Sequence, residues 1–282
     1  IFNIPFSMES FLDEDNKKIL STINLNLMKL NIENELIFEN DKKVGKSKFN
    51  FNKIKRLLEY KIEKNSFDFH FFDKIDQPDS SYKGNFNFKP FHSNLKGKSD
   101  EINLNYLFGS NAIIAQLLKT EIFNHKNIDF KLSINADNVY NNANFKNINL
   151  NLKIQEGLID TDNTKFHWKK FANFEVLESL IFVRNGELVL DGKLKIIIND
   201  YKEIYKFLLT PKNYRNKIDQ IDLNFTYNFD QKMAELKDIK IDNKINQNVN
   251  KILNNVFFNK NDLQNKIYFK NLLNEAIKSY AG

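Results

Sequence analysis

Apolar and polar residues alternate along this chain over long stretches. Ile148, Leu150, Leu152 and Ile154 occupy one parity; Asn147, Asn149, Asn151, Lys153 and Gln155 occupy the other. The pattern recurs at Ile23-Leu25-Leu27, Ile128-Phe130-Leu132-Ile134 and Ile221-Leu223-Phe225-Tyr227. Successive side chains of a strand point to opposite faces, so each segment makes a ribbon with one apolar and one polar side. The expected fold is mainly β (α+β): a long, largely antiparallel twisted sheet or groove of amphipathic strands, with a few crossover and C-terminal helices.

Element by element, residues 7–20 are expected to form a short helix and a strand to begin near Ile23. The parity of that strand slips between Leu27 and Leu30, as a bulge would cause. Short strands follow at Leu36–Phe38, Phe49–Phe51, Leu57–Ile62, Phe67–Phe71 and Asn85–Phe88, with an exposed loop at Asp76–Ser81. From Ser110 to Thr120 the period becomes helical: Ile113, Ile114, Leu117 and Leu118 share a face and Ser110 can cap it. Strands then dominate to Ile198.

Asn185-Gly186 fits a two-residue hairpin turn that sets Val183 opposite Leu188 and Ile181 opposite Leu190. A second, bulged turn at Leu190-Asp191-Gly192 would pair Leu188 with Leu194 and complete a meander. Asp200 with Glu203 makes a capping-box-like start to a helix striped by Tyr201, Ile204, Tyr205, Leu208 and Leu209, ended by Pro211. Strands at Ile218–Tyr227 and near Leu236–Ile241 lead to two amphipathic stripes. The first is Ile245, Val249, Ile252, Leu253 and Val256; the second is Phe269, Leu272, Leu273, Ala276, Ile277 and Tyr280. With no Gly/Ser/Pro linker, the expected organisation is one β-rich domain over 1–242, with crossover helices near 110–120 and 201–209, and a helical segment over 243–282.

Composition narrows the chemistry. Hydrophobic residues make up 41%, enough for a sizeable core, and no apolar run approaches the ~20 residues of a membrane-spanning helix. The chain begins at Ile1 without a charged-then-apolar leader, and is read as a piece of a longer protein. The charge of +6 is interspersed, without the basic block of a nucleic-acid arm, so no nucleic-acid partner is expected. The absence of cysteine excludes disulfides and thiol catalysis.

His70, His92, His125 and His167 lack a second ligand at metal-binding spacing, so no metal or other cofactor is expected. Asp160 and Asp162 fit a strand end and turn better than a catalytic pair. No phosphate-binding glycine loop or G-x-S-x-G elbow occurs, and the expectation is a protein without catalytic residues. Trp168, in step with Phe166, is either a core aromatic or an anchor on a ligand-contacting face.

From Phe145 to Phe229 the features come in a characteristic order. The alternating strand Ile148–Leu152 is followed by Glu156-Gly157-Leu158, the polar turn Asp160–Thr164 and a strand through Phe166-His167-Trp168. Then come Gly186-Glu187-Leu188-Val189-Leu190-Asp191-Gly192, a Tyr-rich helix and one more strand. This stretch, roughly a third of the chain, resembles the C-terminal part of AsmA-like bacterial envelope proteins. The resemblance implies a periplasmic protein anchored in the inner membrane by an N-terminal helix not present in this chain. It also implies a sheet curled into an apolar groove that shields lipid acyl chains, with no catalytic residues. Phospholipid or another acyl lipid would be the partner, alongside the membrane and other envelope proteins. The apolar parity then supplies the candidate lipid-groove residues: Ile148, Leu150, Leu152, Ile154, Phe166, Trp168, Leu188, Leu194, Ile196, Leu223, Phe225 and Tyr227. A closed sandwich serving as a structural or interaction module would carry the same alternation.

Overall fold

The computed structural model describes residues 5–51, 54–73, 80–109, 112–253, 257–258 and 266–281. The fold is mainly β, with 59% of residues in strands, most pairings antiparallel, and few helices. The chain divides into two compact units: residues 1–100 with 127–134, and residues 101–126 with 135–282.

The first unit is a meander in which each strand pairs with the next. Its strands are β1 (Ser7–Asp13), β2 (Lys18–Leu25), β3 (Leu30–Glu39), β4 (Lys42–Phe51), β5 (Ile54–Ile62), β6 (Ser66–Phe72), β7 (Ser81–Phe88) and β8 (Phe91–Ile102). The start of β9 (Asp129–Val139) lies beside β8 and runs in the same direction, since His92 meets Asp129 and Gly97 meets Ile134. Such a parallel step needs a crossover, and the helices before β9 provide it.

Two expectations fail here. Residues 7–20 are not helical: Met8, Ser10 and Leu12 alternate in β1, and Asp13 caps the turn into β2 by accepting from the Asn16 N–H at 3.1 Å. A helical stripe would have required an apolar period nearer 3.6 than 2. The parity slip after Leu27 is no bulge either. Residues Asn26–Met28 form a 3-10 turn closed by left-handed Lys29, and β3 begins there as a new strand. The strands of this unit are also longer than their apolar runs, because polar Ser and Asn share the apolar parity. The expected loop at Asp76–Ser81 falls mostly outside the described residues, and Ser81 opens β7.

The second unit contains α1 (Leu104–Phe108), α2 (Ile113–Lys119), the end of β9, β10 (Asn142–Gln155), β11 (Leu158–Asp160), β12 (Lys165–Trp168), β13 (Ala172–Arg184) and β14 (Glu187–Ile198). After them come α3 (Tyr201–Leu208), β15 (Gln220–Asn228), β16 (Met233–Ile241), β17 (Lys244–Ile245), α4 (Gln247–Leu253), β18 (Phe257–Phe258) and α5 (Lys266–Ala281). Strands β12 to β16 pair in sequence and all antiparallel. Left-handed residues mark register shifts at Asn147 in β10, Glu178 in β13 and Asp238 in β16, the signature of bulges.

The first turn of the expected meander is present: Asn185 (φ 54°) and Gly186 (φ 78°) set Val183 opposite Leu188 and Ile181 opposite Leu190. The second is not. β14 runs unbroken through Asp191-Gly192, pairing Gly192 with Phe225 and Leu194 with Val176 on its two sides. Gly192 answers a close approach instead, because a Cβ there would lie 3.2 Å from Ser179 Cβ and 3.3 Å from Phe225 Cε1. The bulge at Glu178 keeps the apolar parities of β13 and β14 matched without a turn.

Helix α3 starts as expected, with the Asp200 carboxylate accepting from the Glu203 N–H at 3.0 Å. Tyr205 and Leu208 are buried, whereas Leu209 adopts the left-handed C-terminal conformation and is exposed. In α2, Ala115 and Leu118 point inward and Leu117 outward; the cap position is Ala112, Ser110 lying outside the described residues. Ile245 sits in β17 and is exposed, while Val249 and Leu253 of α4 and Leu272 and Ala276 of α5 enter one core with Tyr205, Leu223 and Ile239. Val256 is outside the described residues.

Candidate functional site

The twelve sequence-derived groove candidates all lie in the second unit. Ile148, Leu150, Leu152 and Ile154 are buried along β10. Leu188 is 1% exposed and Leu223 8%. Leu194, Ile196 and Phe225 pack against the cluster built from Leu223, Ile239 and the α3, α4 and α5 side chains. Phe166 stacks on Phe174 with ring centroids 4.8 Å apart, and Trp168 meets Phe171 and Phe207 edge-on at 5.4 and 5.2 Å. Tyr227 stands edge-on to Phe229 at 5.0 Å. Much of this face is therefore covered by helices of the same unit, whose amphipathic stripes bury against it.

The first unit differs in kind. Among its described residues there is no α-helix, and Ile134 is its one apolar side chain that is fully buried. The pairing register shows which side chains share a face, since directly opposed residues point the same way. One row reads Leu12, Ile19, Leu36, Gly45, Tyr60, Phe69, Gly84 and Leu95 across β1 to β8. The next reads Phe38, Lys43, Ile62, Phe67, Phe86 and Ser93 from β3 to β8. On the other side of the first row, Leu58, Phe71 and Tyr82 continue the apolar set, and beyond them Met8, Ile23, Ile32 and Phe49 align.

Aromatic rings dominate the centre of this face. Phe69 stacks on Phe67 at 6.0 Å and on Phe86 at 5.9 Å, and Tyr60 lies 5.9 Å from Phe67. Tyr60 lies over Gly45, where a Cβ would meet its ring at 2.1 Å, so glycine lets the ring lie close to the sheet. A polar stripe crosses the same face near the β1 edge. Ser10 and Ser21 hydroxyls are 2.9 Å apart, and Asn34 Oδ1 accepts from Ser47 Oγ and Tyr60 OH, both at 2.7 Å. An ion pair, Arg56 Nε to Asp73 at 2.8 Å, stands on this face where its apolar rows end.

The opposite face is polar. Lys18 pairs with Glu35 at 3.4 Å, Lys46 with Glu59 at 3.0 Å, and amide side chains of Asn24, Asn31 and Asn50 form a ladder. Eight strands at about 4.8 Å spacing and about 30 Å in length give each face an area on the order of 1,000 Å².

The other chemical candidates are tied into the fold. Asp162 Oδ1 accepts from Ser179 N–H at 2.7 Å and from its hydroxyl at 2.6 Å, fastening the 161–164 turn to the β13 bulge. Burial pushes the Asp160 carboxyl up, while its hydrogen bond from the Asp162 N–H opposes this. His92 Nδ1 lies 3.1 Å from Asp129, His167 approaches Asn147 at 3.4 Å, and His70 packs on Phe72. No group of metal-ligating residues occurs among the described residues.

The uncovered face was the part sequence reasoning missed. Its signal was present: between Ile23 and Phe88 the sequence reads as a succession of short strands, with no helical stripe among them to supply a cover. No protein-family model matches this sequence, and no curated protein matches it either.

Proposed function

We propose that this chain is a non-catalytic lipid-binding protein of the bacterial cell envelope, and that acyl chains lie on the apolar face of the first unit. The observation that supports this is the burial contrast. The second unit covers its apolar parity with helices, whereas the rows through Leu36, Tyr60, Phe69 and Phe86 stay partly accessible. The accessible apolar part of this face costs roughly 25 cal/mol per Å² to leave wet, which calls for an apolar occupant. Its dimensions suit lipid: an acyl chain spans about 15 Å, half the ~30 Å hydrocarbon core, and fits along one strand. Aliphatic and aromatic side chains that are rough and adaptable accept such chains without needing a fixed partner shape.

In this reading the chain is the lipid-handling part of an AsmA-like protein, periplasmic and held at the inner membrane by a segment outside this sequence. Phospholipid is the cargo. A closed sandwich acting as an interaction module would bury the same rows against a second sheet, and the partial exposure of those rows argues against it.

The test is organic extraction of detergent-free protein followed by mass spectrometry for phospholipids, with uptake from phospholipid vesicles as a second measurement. Near-stoichiometric lipid is expected in the wild type and its loss in Ile32→Arg/Phe69→Arg. Far-ultraviolet circular dichroism, which follows the strands of both units, reports whether the variant is folded. Lipid-free wild type that takes up none from vesicles would end the proposal.

A further inference from the structure

Among the described residues, strand β1 has one edge that no other strand pairs with. Its pairing among the described residues is with β2 alone, and six of its seven residues are exposed. Proteins normally blunt such an edge with lysine, proline, a bulge or a short strand. Here Ser7-Met8-Glu9-Ser10-Phe11-Leu12-Asp13 has no lysine, proline or glycine, and its register with β2 is unbroken. Its large side chains are also wet on both faces: Met8 56% and Leu12 54% on the apolar face, Phe11 64% on the polar one.

We infer that this edge pairs with the same edge of a second copy of the chain, antiparallel and centred on Ser10. Three nearby registers can be compared by what each sets opposite what. Centring on Glu9 opposes two carboxylates directly. Centring on Phe11 sets Glu9 against Asp13. Centring on Ser10 sets Met8 against Leu12, Glu9 against Phe11 and Ser7 against Asp13, so no like charges meet. Cross-strand pairs favour apolar contacts and penalise facing like charges, which selects the third. That register also joins the two polar stripes, each Ser10–Ser21 pair meeting its copy, and makes the two apolar faces continuous. A seven-residue edge buries well under the ~1,200 Å² of a stable interface, so the dimer is weak and reversible. The inference does not depend on what the apolar face binds.

The chain has no cysteine, which makes single-cysteine crosslinking clean. Opposed residues have Cα atoms about 4.5–5.5 Å apart, within disulfide reach, so Ser10→Cys is expected to form a linked dimer on mild oxidation. Met8→Cys is expected to stay unlinked alone, its copy being about 14 Å away, and to link when mixed with Leu12→Cys. In light scattering across a concentration series, wild type should dimerise, and Phe11→Glu, which sets a carboxylate against Glu9 of the copy, should weaken this roughly tenfold or more. A monomer at every concentration overturns the inference. So does Ser10→Cys linking no faster than Met8→Cys, or a dimer that Phe11→Glu leaves unchanged.

Discussion

Leu223→Ala separates a packed core from a lipid-lined trough at a residue that sequence reasoning assigned to the trough. Leu223 is 8% exposed, set opposite Leu194 on β14, and clustered with Ile239, Tyr205 and the inward side chains of α4 and α5. Removing three buried carbons at about 0.8 kcal/mol each loses about 2.4 kcal/mol of transfer free energy. The cavity adds to this, because Leu223 is held between a sheet and helices that cannot close the gap freely. A total of about 3 kcal/mol falls within the usual Leu→Ala range of about 2–5 kcal/mol.

The assay is urea unfolding followed by the fluorescence of Trp168, the single tryptophan, which lies in the same unit and packs on Phe207 of α3. With a slope of about 2 kcal/mol/M, the midpoint should fall by about 1.5 M. The measurement is made on protein freed of lipid. If Leu223 lined a lipid trough, truncation in lipid-free protein would cost little and would change lipid content instead. A loss below about 1 kcal/mol would refute the helix-covered core.

Three further outcomes follow from local geometry. Asp200→Ala removes the acceptor for the Glu203 N–H and should cost about 1 kcal/mol in the same unfolding assay. Gly186→Ala meets no neighbouring atom within 4 Å but forces a side chain to φ 78°, so about 1 kcal/mol is expected from backbone strain alone. Burial, with smaller contributions from Tyr280 and Tyr201, pushes the Tyr205 phenol from 10.0 up to about 12, and its O–H donates to the Asn216 carbonyl at 2.6 Å. The native state thus favours the protonated phenol. The stability tied to it is complete below pH 10 and declines as pH rises toward 12; Tyr205→Phe should flatten that decline in alkaline thermal melts.

Most of the architecture was legible because period 2 and period 3.6 differ so sharply. The hairpin at Asn185-Gly186 and the cap at Asp200 were legible to the residue, since each depends on chemistry local to a few positions. Misreadings arose where local chemistry allowed two outcomes. Asp191-Gly192 has turn residues, but its glycine serves a close approach of Ser179 and Phe225 that no local pattern reveals. Residues 7–20 contain enough spaced apolar positions to suggest a helix, and only the antiparallel pairing of β1 with β2 fixes them as a strand, a turn and the start of a second strand. The candidate site was half legible. Alternation identified apolar faces but not their covers, because cover is a property of distant helices.

This leads to a general step in the reasoning about this chain. An apolar strand parity is a demand for a cover, and the supply of helical stripes in the sequence is finite. The stripes of α2, α3, α4 and α5 all belong to the second unit, and the inward side chains of α3, α4 and α5 enter one core with the apolar parity of β14 to β16 there. The first unit presents a comparable demand, with aromatic rings on β4 to β7, and its described residues contain no helical stripe to meet it. Folding alone would not favour such a face, since leaving roughly 25 cal/mol per Å² unclaimed weakens a sheet that has no second layer. The imbalance makes sense if the cover comes and goes. A lipid that can leave is a cover of that kind, and lipid loading should then raise the stability of the first unit while leaving the Trp168-reported transition of the second nearly unchanged. Far-ultraviolet circular dichroism, which follows the whole sheet, should show an added transition moving to higher urea with phospholipid present. A shift of both transitions together, or of neither, would break the argument that the missing helices and the bound lipid are two answers to the same demand.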